Sequence, residues 1–290
     1  MRLLTFRTEG GTRAGRLDGT QVTPLDAPDV GALLATGLDW RARAAATGPL
    51  VPFDELELAP LIPRPSKIIC VGLNYKRHIA ETGLETPEHP TLFAKFANSL
   101  IGARDPIVLP ATSGAMDWEA ELAIIVGRGV AHADRAEARA AIAGYTVAND
   151  VSARDYQRRT TQWLQGKTFD ATTPLGPALV TADELYDVAD LVVSCKVRGE
   201  QMQGGWTGDM LFPPDEIVSY ISGIMTLEPG DVILTGTPAG IGDSRTPPIR
   251  LEPGDVLETE IEGLGVLRNE CRLSPCSARG TQDRPGPAGR

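Results

Sequence analysis

Asp117-Trp-Glu-Ala-Glu-Leu-Ala-Ile-Ile-Val-Gly127 is the stretch on which the reading of this chain turns. Its Ile- and Val-rich end predicts a strand over 118–126. Side chains alternate faces along a strand. Trp118, Ala120, Leu122, Ile124 and Val126 therefore share one face, and Glu119, Glu121, Ala123 and Ile125 share the other. Two like charges about 7 Å apart on a half-apolar face are unfavourable unless something compensates. Either the strand is a solvent-exposed edge carrying two solvated acids, or a cation belongs there.

A third acid bears on that choice. Gly144-Tyr-Thr-Val-Ala-Asn-Asp150 is a second strand-like run, and Val151-Ser-Ala-Arg-Asp-Tyr-Gln157 follows it. Polar residues crowding the end of an apolar strand read as the lip of a site. Glu119, Glu121 and Asp150, with no histidine nearby, suit a hard divalent cation. Mg²⁺ is the expectation, with Mn²⁺ or Ca²⁺ as alternatives. Three carboxylates leave three octahedral positions open, which suits a small 2-oxo acid chelating through two oxygens.

Other segments could complete a site. Gly72-Leu-Asn-Tyr-Lys-Arg-His78-Ile-Ala-Glu81 follows a strand expected over 67–71. On a helical turn His78 and Glu81 face one side, and a Glu that orients a His makes a general base. The same H-x-x-E also fits two surface residues. Lys167, in Gly166-Lys-Thr-Phe-Asp170, reads as a loop lysine that could stabilise an enolate, or as plain surface. Thr235-Gly-Thr-Pro-Ala-Gly-Ile-Gly242 follows a strand, and its glycines permit close backbone approach. It lacks the lysine of a phosphate loop. His89 and His132 sit in polar contexts and read as surface residues.

Outward from these segments, the chain divides in three. Residues 1–60 read as a small N-terminal unit, with strands over 3–7 and 21–25, a turn over 15–19 and a helical pattern over 30–46. Pro60-Leu-Ile-Pro-Arg-Pro65 should run extended, because each residue before a proline is steered away from helix. Residues 66–273 form the larger unit, in which Pro174-Leu-Gly-Pro177 reads as a turn. Residues 274–290, almost without apolar side chains, read as a flexible tail. Leu-Glu-Pro-Gly-Asp-Val occurs at 227–232 and again at 251–256, each copy a turn feeding a strand.

Composition excludes several classes. The 290 residues carry a net charge of −10, with 28 basic and 38 acidic side chains. The tail is itself basic, so the surplus of acid belongs to the body. No basic face is available for nucleic acid, and an anionic membrane is disfavoured. No apolar run approaches the roughly 18 residues of a membrane span. Three histidines without an HExxH exclude a multi-histidine zinc site. Four scattered cysteines without C-x-x-C are expected to be free thiols in a reducing cytoplasm.

In this order the segments resemble the fumarylacetoacetate hydrolase family, from about Lys67 to Arg272. The resemblance rests on Gly72-Leu-Asn-Tyr75 with His78 and Glu81, Glu119-Ala-Glu121, Gly144-Tyr-Thr146 and Asn149-Asp-Val-Ser-Ala-Arg-Asp155. It continues through Gln157, Lys167, Phe169-Asp170, Pro174-Leu-Gly-Pro177, Pro229-Gly-Asp231 and Thr235-Gly-Thr-Pro238. It implies an α+β, β-rich fold, a mixed β-sandwich roll of the fumarylacetoacetate hydrolase C-terminal type behind a small N-terminal domain. It also implies a bound Mg²⁺ or Mn²⁺ and a homodimer. Glu119, Glu121 and Asp150 match the metal ligands. His78 and Glu81 match a water-activating dyad on a lid, and Lys167 matches an oxyanion partner. Tyr75, Arg154, Gln157 and Thr237 match substrate contacts. Arg198 stands where the family usually has Asn, and Arg77 where many relatives carry an acidic or small residue.

The leading expectation is metal-dependent hydrolysis of a C–C bond in a 2,4-dioxo acid such as an acylpyruvate. The alternatives on the same metal site are decarboxylation of an oxaloacetate-like acid and isomerisation of a hydroxymuconate-type dienoic diacid. A reading of another class is an inactive metal-binding scaffold.

Overall fold

The strand Ala120–Val126 is buried at every position. Ile142–Asn149 pairs with it antiparallel on one side and Val232–Leu234 on the other. Beyond Val232–Leu234 the sheet continues by parallel pairing to Ile68–Gly72 and then to the edge strand Thr91–Lys95. In the other direction it runs through Thr173–Thr181 into the N-terminal strands Arg2–Thr8, Gly11–Asp18, Gln21–Pro24 and Val51–Pro52. This computed structural model describes residues 1–185 and 187–274; the tail from 275 onward, with Cys276, lies outside them.

A second, five-stranded sheet runs in the order Glu200–Trp206, Val192–Val197, Val256–Ile261, Gly265–Leu273, Ile107–Leu109. Its Val193, Cys195, Leu257 and Leu267 pack in one core with Trp118, Ala120, Leu122 and Ile124. Ala123 and Ile125, on the opposite face, pack in another core with Leu25, Val30, Leu33 and Leu34 of the N-terminal unit. The alternation of faces is as expected, and the exposed-edge alternative is not what forms. Layers on both faces and partners on both edges exclude water from this strand. The result is the mixed, β-rich α+β sandwich with an N-terminal addition. That addition is hydrogen-bonded into the large sheet, Arg2 opposite Val180 and Leu3 opposite Leu179.

Two local expectations fail. Gly15 lies inside the strand Gly11–Asp18 rather than in a turn. A Cβ there would stand 2.5 Å from Val22 Cγ1, so glycine is set by close strand packing. Pro174–Pro177 lies within the strand Thr173–Thr181, not in a turn; this strand bulges opposite Tyr145–Val147, four of its steps facing two of its partner's.

The repeated Leu-Glu-Pro-Gly-Asp-Val is a turn device. Gly230 and Gly254 have φ of 88° and 90°, as a type II turn requires. In each copy the aspartate accepts from the backbone three residues back, Asp231 from Glu228 N and Asp255 from Glu252 N. Arg198 belongs here. It sits at φ 56° in the hairpin Val192–Trp206 and binds Asp255 through Nε at 2.6 Å and Nη2 at 2.9 Å. It buttresses the second copy of the turn.

Candidate active site

Strand register brings the three acids together. Ala120 lies opposite Asn149, so Asp150 follows beside Glu119, and its N–H donates to Glu119 O at 2.8 Å. Asn149 fixes the junction by accepting from Glu119 N at 2.9 Å and donating to Thr259 Oγ1 at 2.9 Å. Oxygens of the Glu119, Glu121 and Asp150 carboxylates lie within 4.8 Å of one another. All three side chains are buried.

Buried carboxylates need compensating charge. Lys95 Nζ donates to Asp150 Oδ1 at 2.6 Å, and Lys167 Nζ bridges Asp150 Oδ2 at 2.8 Å and Glu119 Oε2 at 2.5 Å. Arg154 lies 2.7 Å from Glu119 Oε1. Burial would raise the Glu119 carboxyl, but Arg154 and Lys167 hold it far below the ordinary range. Glu121 is the opposite case. Burial, reinforced by Asp150 and Glu119, pushes it well above that range. Its Oε2 accepts only Gly236 N, at 2.7 Å, and among the described residues it forms no ion pair with Lys, Arg or His. Burial works against the Lys167 ammonium, yet Asp150 and Glu119 keep it protonated. The donor set is three carboxylates, and the one without an ion-pair partner among the described residues is Glu121. That composition fits a hard divalent cation held by Glu119, Glu121 and Asp150.

A cavity of about 620 Å³ is lined by Glu119 and Glu121 of the trio and by Lys167. His78 and Glu81 enter it from the helix Lys76–Thr82, which ends on Gly83 at φ 70°. His78 Nδ1 lies 2.9 Å from Glu81 Oε2. Glu81 Oε1 accepts from Gly240 N at 2.9 Å and from Ser244 Oγ at 2.6 Å. Burial would raise Glu81, but the bonds from His78, Ser244 and Gly240 lower it, so it stays a carboxylate. The glycine-rich segment expected to approach a ligand thus does two jobs. Gly236 binds Glu121, and Gly240 with Ser244 clamps the dyad. Arg77 stacks over Trp206 at 4.5 Å and anchors the dyad helix to the second sheet. Thr237 lines the cavity and accepts from Gln203 Nε2 at 2.8 Å. Arg154 and Gln157, joined at 2.9 Å, also line it.

Residues 67–272 match the family described as fumarylacetoacetate (FAA) hydrolase C-terminal, about seven-tenths of the chain. The chain belongs to the fumarylacetoacetate hydrolase family. Residues 1–60 match the description Rv2993c-like, N-terminal. Human oxaloacetate tautomerase FAHD2A, mitochondrial, is 46% identical over 232 residues, 79% of this chain and 74% of that protein. The fumarylacetoacetate hydrolase of psychrophilic Exiguobacterium antarcticum superposes with a TM-score of 0.85 at 34% identity, covering 94% of this chain and 100% of that one. The 2-hydroxyhepta-2,4-diene-1,7-dioate isomerase of Mycobacterium marinum gives 0.78 at 34% identity, covering 95% and 99%. The relatives are thus enzymes of more than one reaction type. The mitochondrial name of the human relative lends the cytoplasmic expectation no support. Among the described residues no helix is long and apolar enough to cross a membrane.

Within this family frame, the structure gathers nine of the ten expected residues around the trio and its cavity. Tyr75 stands apart: it is fully buried at the start of the dyad helix and does not line the cavity, and among the described residues its hydroxyl has no hydrogen-bond partner. Lys167 ends the short helix Leu164–Lys167, buried rather than in an exposed loop. Sequence reasoning missed three participants. Lys95 ends the apolar strand Thr91–Lys95, where a lone lysine was a usable signal. Asp117 is fully buried and accepts from Arg154 Nε at 2.8 Å, Gly242 N at 2.7 Å and Asp243 N at 3.0 Å. It ties Arg154 to the segment that clamps Glu81. Trp163 forms a cavity wall so close to Gly72 that a Cβ there would stand 2.4 Å from its ring. No local pattern announced the last two.

Proposed function

We propose that this protein is a divalent-metal-dependent enzyme that moves a proton between carbon and oxygen in a 2-oxo acid, a keto–enol tautomerase or isomerase. The His78–Glu81 dyad at the cavity wall carries this reading. Tautomerisation needs one base beside the carbon next to a carbonyl, and no water nucleophile. The naming of FAHD2A as an oxaloacetate tautomerase and of the Mycobacterium marinum neighbour as a dienedioate isomerase supports it over C–C hydrolysis. Both named reactions share that proton transfer.

Glu119, Glu121 and Asp150 would hold Mg²⁺ or Mn²⁺, which when bound supplies a Lewis acid beside the 2-oxo group. Glu81 holds His78 through Nδ1, leaving Nε2 for proton transfer. His78 takes the proton from C3, the C–H electron pair becomes the C2–C3 double bond, the C2=O π pair moves onto oxygen, and that oxygen takes a proton from water, to which His78 returns its own. Lys167, kept protonated between two carboxylates, lends positive charge where the enolate forms. Arg154 and Gln157 orient the C1 carboxylate. The same dyad could instead deprotonate water, as the hydrolase neighbour's name invites.

The test is ultraviolet decay of oxaloacetate enol, run beside cleavage of an acylpyruvate. His78→Gln should lower tautomerisation kcat by about 100-fold or more while the protein still binds Mg²⁺. A wild-type rate in His78→Gln would sink the assignment of the base. Acylpyruvate cleavage without tautomerisation would return the reading to hydrolysis.

A further inference from the structure

Glu81 is held by a segment more rigid than its own helix. The helix Lys76–Thr82 has seven residues and no side-chain cap at Tyr75. It is too short to fix a side chain in its last turn unaided. The segment that meets Glu81 is pinned at successive positions. Asp117, fully buried, accepts from Gly242 N and Asp243 N. Gly242 O accepts from Ile249 N at 3.0 Å, and Asp243 accepts from Arg250 Nη2 at 2.6 Å. A Cβ on Gly242 would stand 2.1 Å from Ile249 O and 2.7 Å from Asp117 Oδ1, so this backbone is tightly enclosed. Ser244 follows the pinned pair. Its Oγ is 2.6 Å from Glu81 Oε1 and 3.0 Å from Ile241 O. One hydroxyl hydrogen cannot serve both, and the shorter contact to the charged acceptor takes it.

The geometry points to Ser244 as a positioning residue that sets the ring tautomer of His78. It acts through Glu81 and rests on the reading of His78 as the base. A carboxylate only accepts, so His78 Nδ1, 2.9 Å from Glu81 Oε2, carries the hydrogen and Nε2 keeps its lone pair. That state lasts while Oε2 faces the ring, and Oε2 faces the ring while Oε1 is held. Gly240 N alone would leave the carboxylate free to pivot about a single bond. Ser244 supplies the second donor, which stops the pivot. The serine is exposed, so its hydroxyl can be removed with little effect on stability.

The test reads the ring directly. Ring-nitrogen NMR of the ¹⁵N-histidine-labelled, Mg²⁺-loaded full chain separates Nδ1–H from Nε2–H at about pH 8.5, where an ordinary imidazole is neutral. The chain has three histidines, so His78→Gln assigns the signal. Wild-type His78 should be Nδ1–H. Ser244→Ala should raise the Nε2–H share about fivefold and lower kcat for oxaloacetate about fivefold, with KM within about twofold. That is the value of one charge-assisted hydrogen bond discounted for exposure. Ser244→Thr, which keeps the hydroxyl, should retain the wild-type signal and rate. The inference is overturned if Ser244→Ala leaves the ring at Nδ1–H, if Ser244→Thr behaves like Ser244→Ala, or if an active enzyme shifts tautomer without losing kcat. If the wild type turns over no oxaloacetate, the ring nitrogens still decide the role of Ser244, and the failure belongs to the proposed reaction.

Discussion

Glu121 offers the sharpest perturbation, because one substitution should move stability in opposite directions with and without metal. Its carboxylate has two acidic neighbours, each with oxygens no more than 4.8 Å away. At that separation and an effective dielectric of about 20, one carboxylate pair repels by about 3.5 kcal/mol. Lys167 offsets roughly one of the two interactions, leaving a burden of about 3 kcal/mol that Glu121 relieves by retaining a proton. Glu121→Gln removes the charge and keeps an oxygen to accept Gly236 N. Metal-free Glu121→Gln should therefore melt higher than the metal-free wild type above neutral pH, by about 5 °C for a chain of this size. The sign with pH follows. A folded carboxyl raised above its unfolded value holds a proton that the unfolded chain has lost, so metal-free wild-type stability falls as pH climbs from the ordinary glutamate range upward. The variant should lose that slope. With saturating Mg²⁺ the wild type should gain stability by mass action, and Glu121→Gln should gain little. Differential scanning calorimetry of chelator-stripped and Mg²⁺-loaded samples across pH reads all of this. A metal-free variant that melts below wild type would refute the charge argument. An equal Mg²⁺ shift in both proteins would refute the ligand assignment.

Two other perturbations are equally direct. A Cβ at Gly166 would stand 2.6 Å from Gln157 N and 2.7 Å from Ala153 O, so Gly166→Ala must displace the short helix that delivers Lys167. It should cost about 1–3 kcal/mol in urea denaturation and lower kcat for oxaloacetate; unchanged kcat would show that Lys167 placement is not limiting. Asp215 is lowered by bonds from Arg135 and Arg139 that outweigh its burial, and it joins the helices Arg135–Ala141 and Pro214–Ser222. That tie contributes stability above the unfolded aspartate pKa and is lost as pH falls through the lower folded value. Asp215→Asn should flatten this acid limb and cost at most about 1 kcal/mol at neutral pH. An unaltered acid limb would assign it to other carboxylates.

What the chain determines by itself is local and periodic. The alternation in 118–126 assigns faces correctly because strand geometry has a period of two, whatever packs against it. His78 and Glu81 meet because three residues make a helical turn. The acids of the trio are legible because each sits at a strand end in a distinctive run. What only the tertiary structure decides is which charges lose their water. Lys95 reaches Asp150 across 55 residues and Lys167 reaches Glu119 across 48. Local pattern can single out Lys95 as a lone lysine on an apolar strand, but it cannot say which carboxylate either lysine will meet. Burial of Glu121 arises only when a second sheet and the N-terminal helices close on a strand that, taken alone, fits an exposed edge equally well. The acid surplus of the composition becomes chemistry at that point. Four buried carboxylates, Asp117 and the trio, meet two ammoniums and one guanidinium, and the charge left over fits a cation where alternation alone describes a strand.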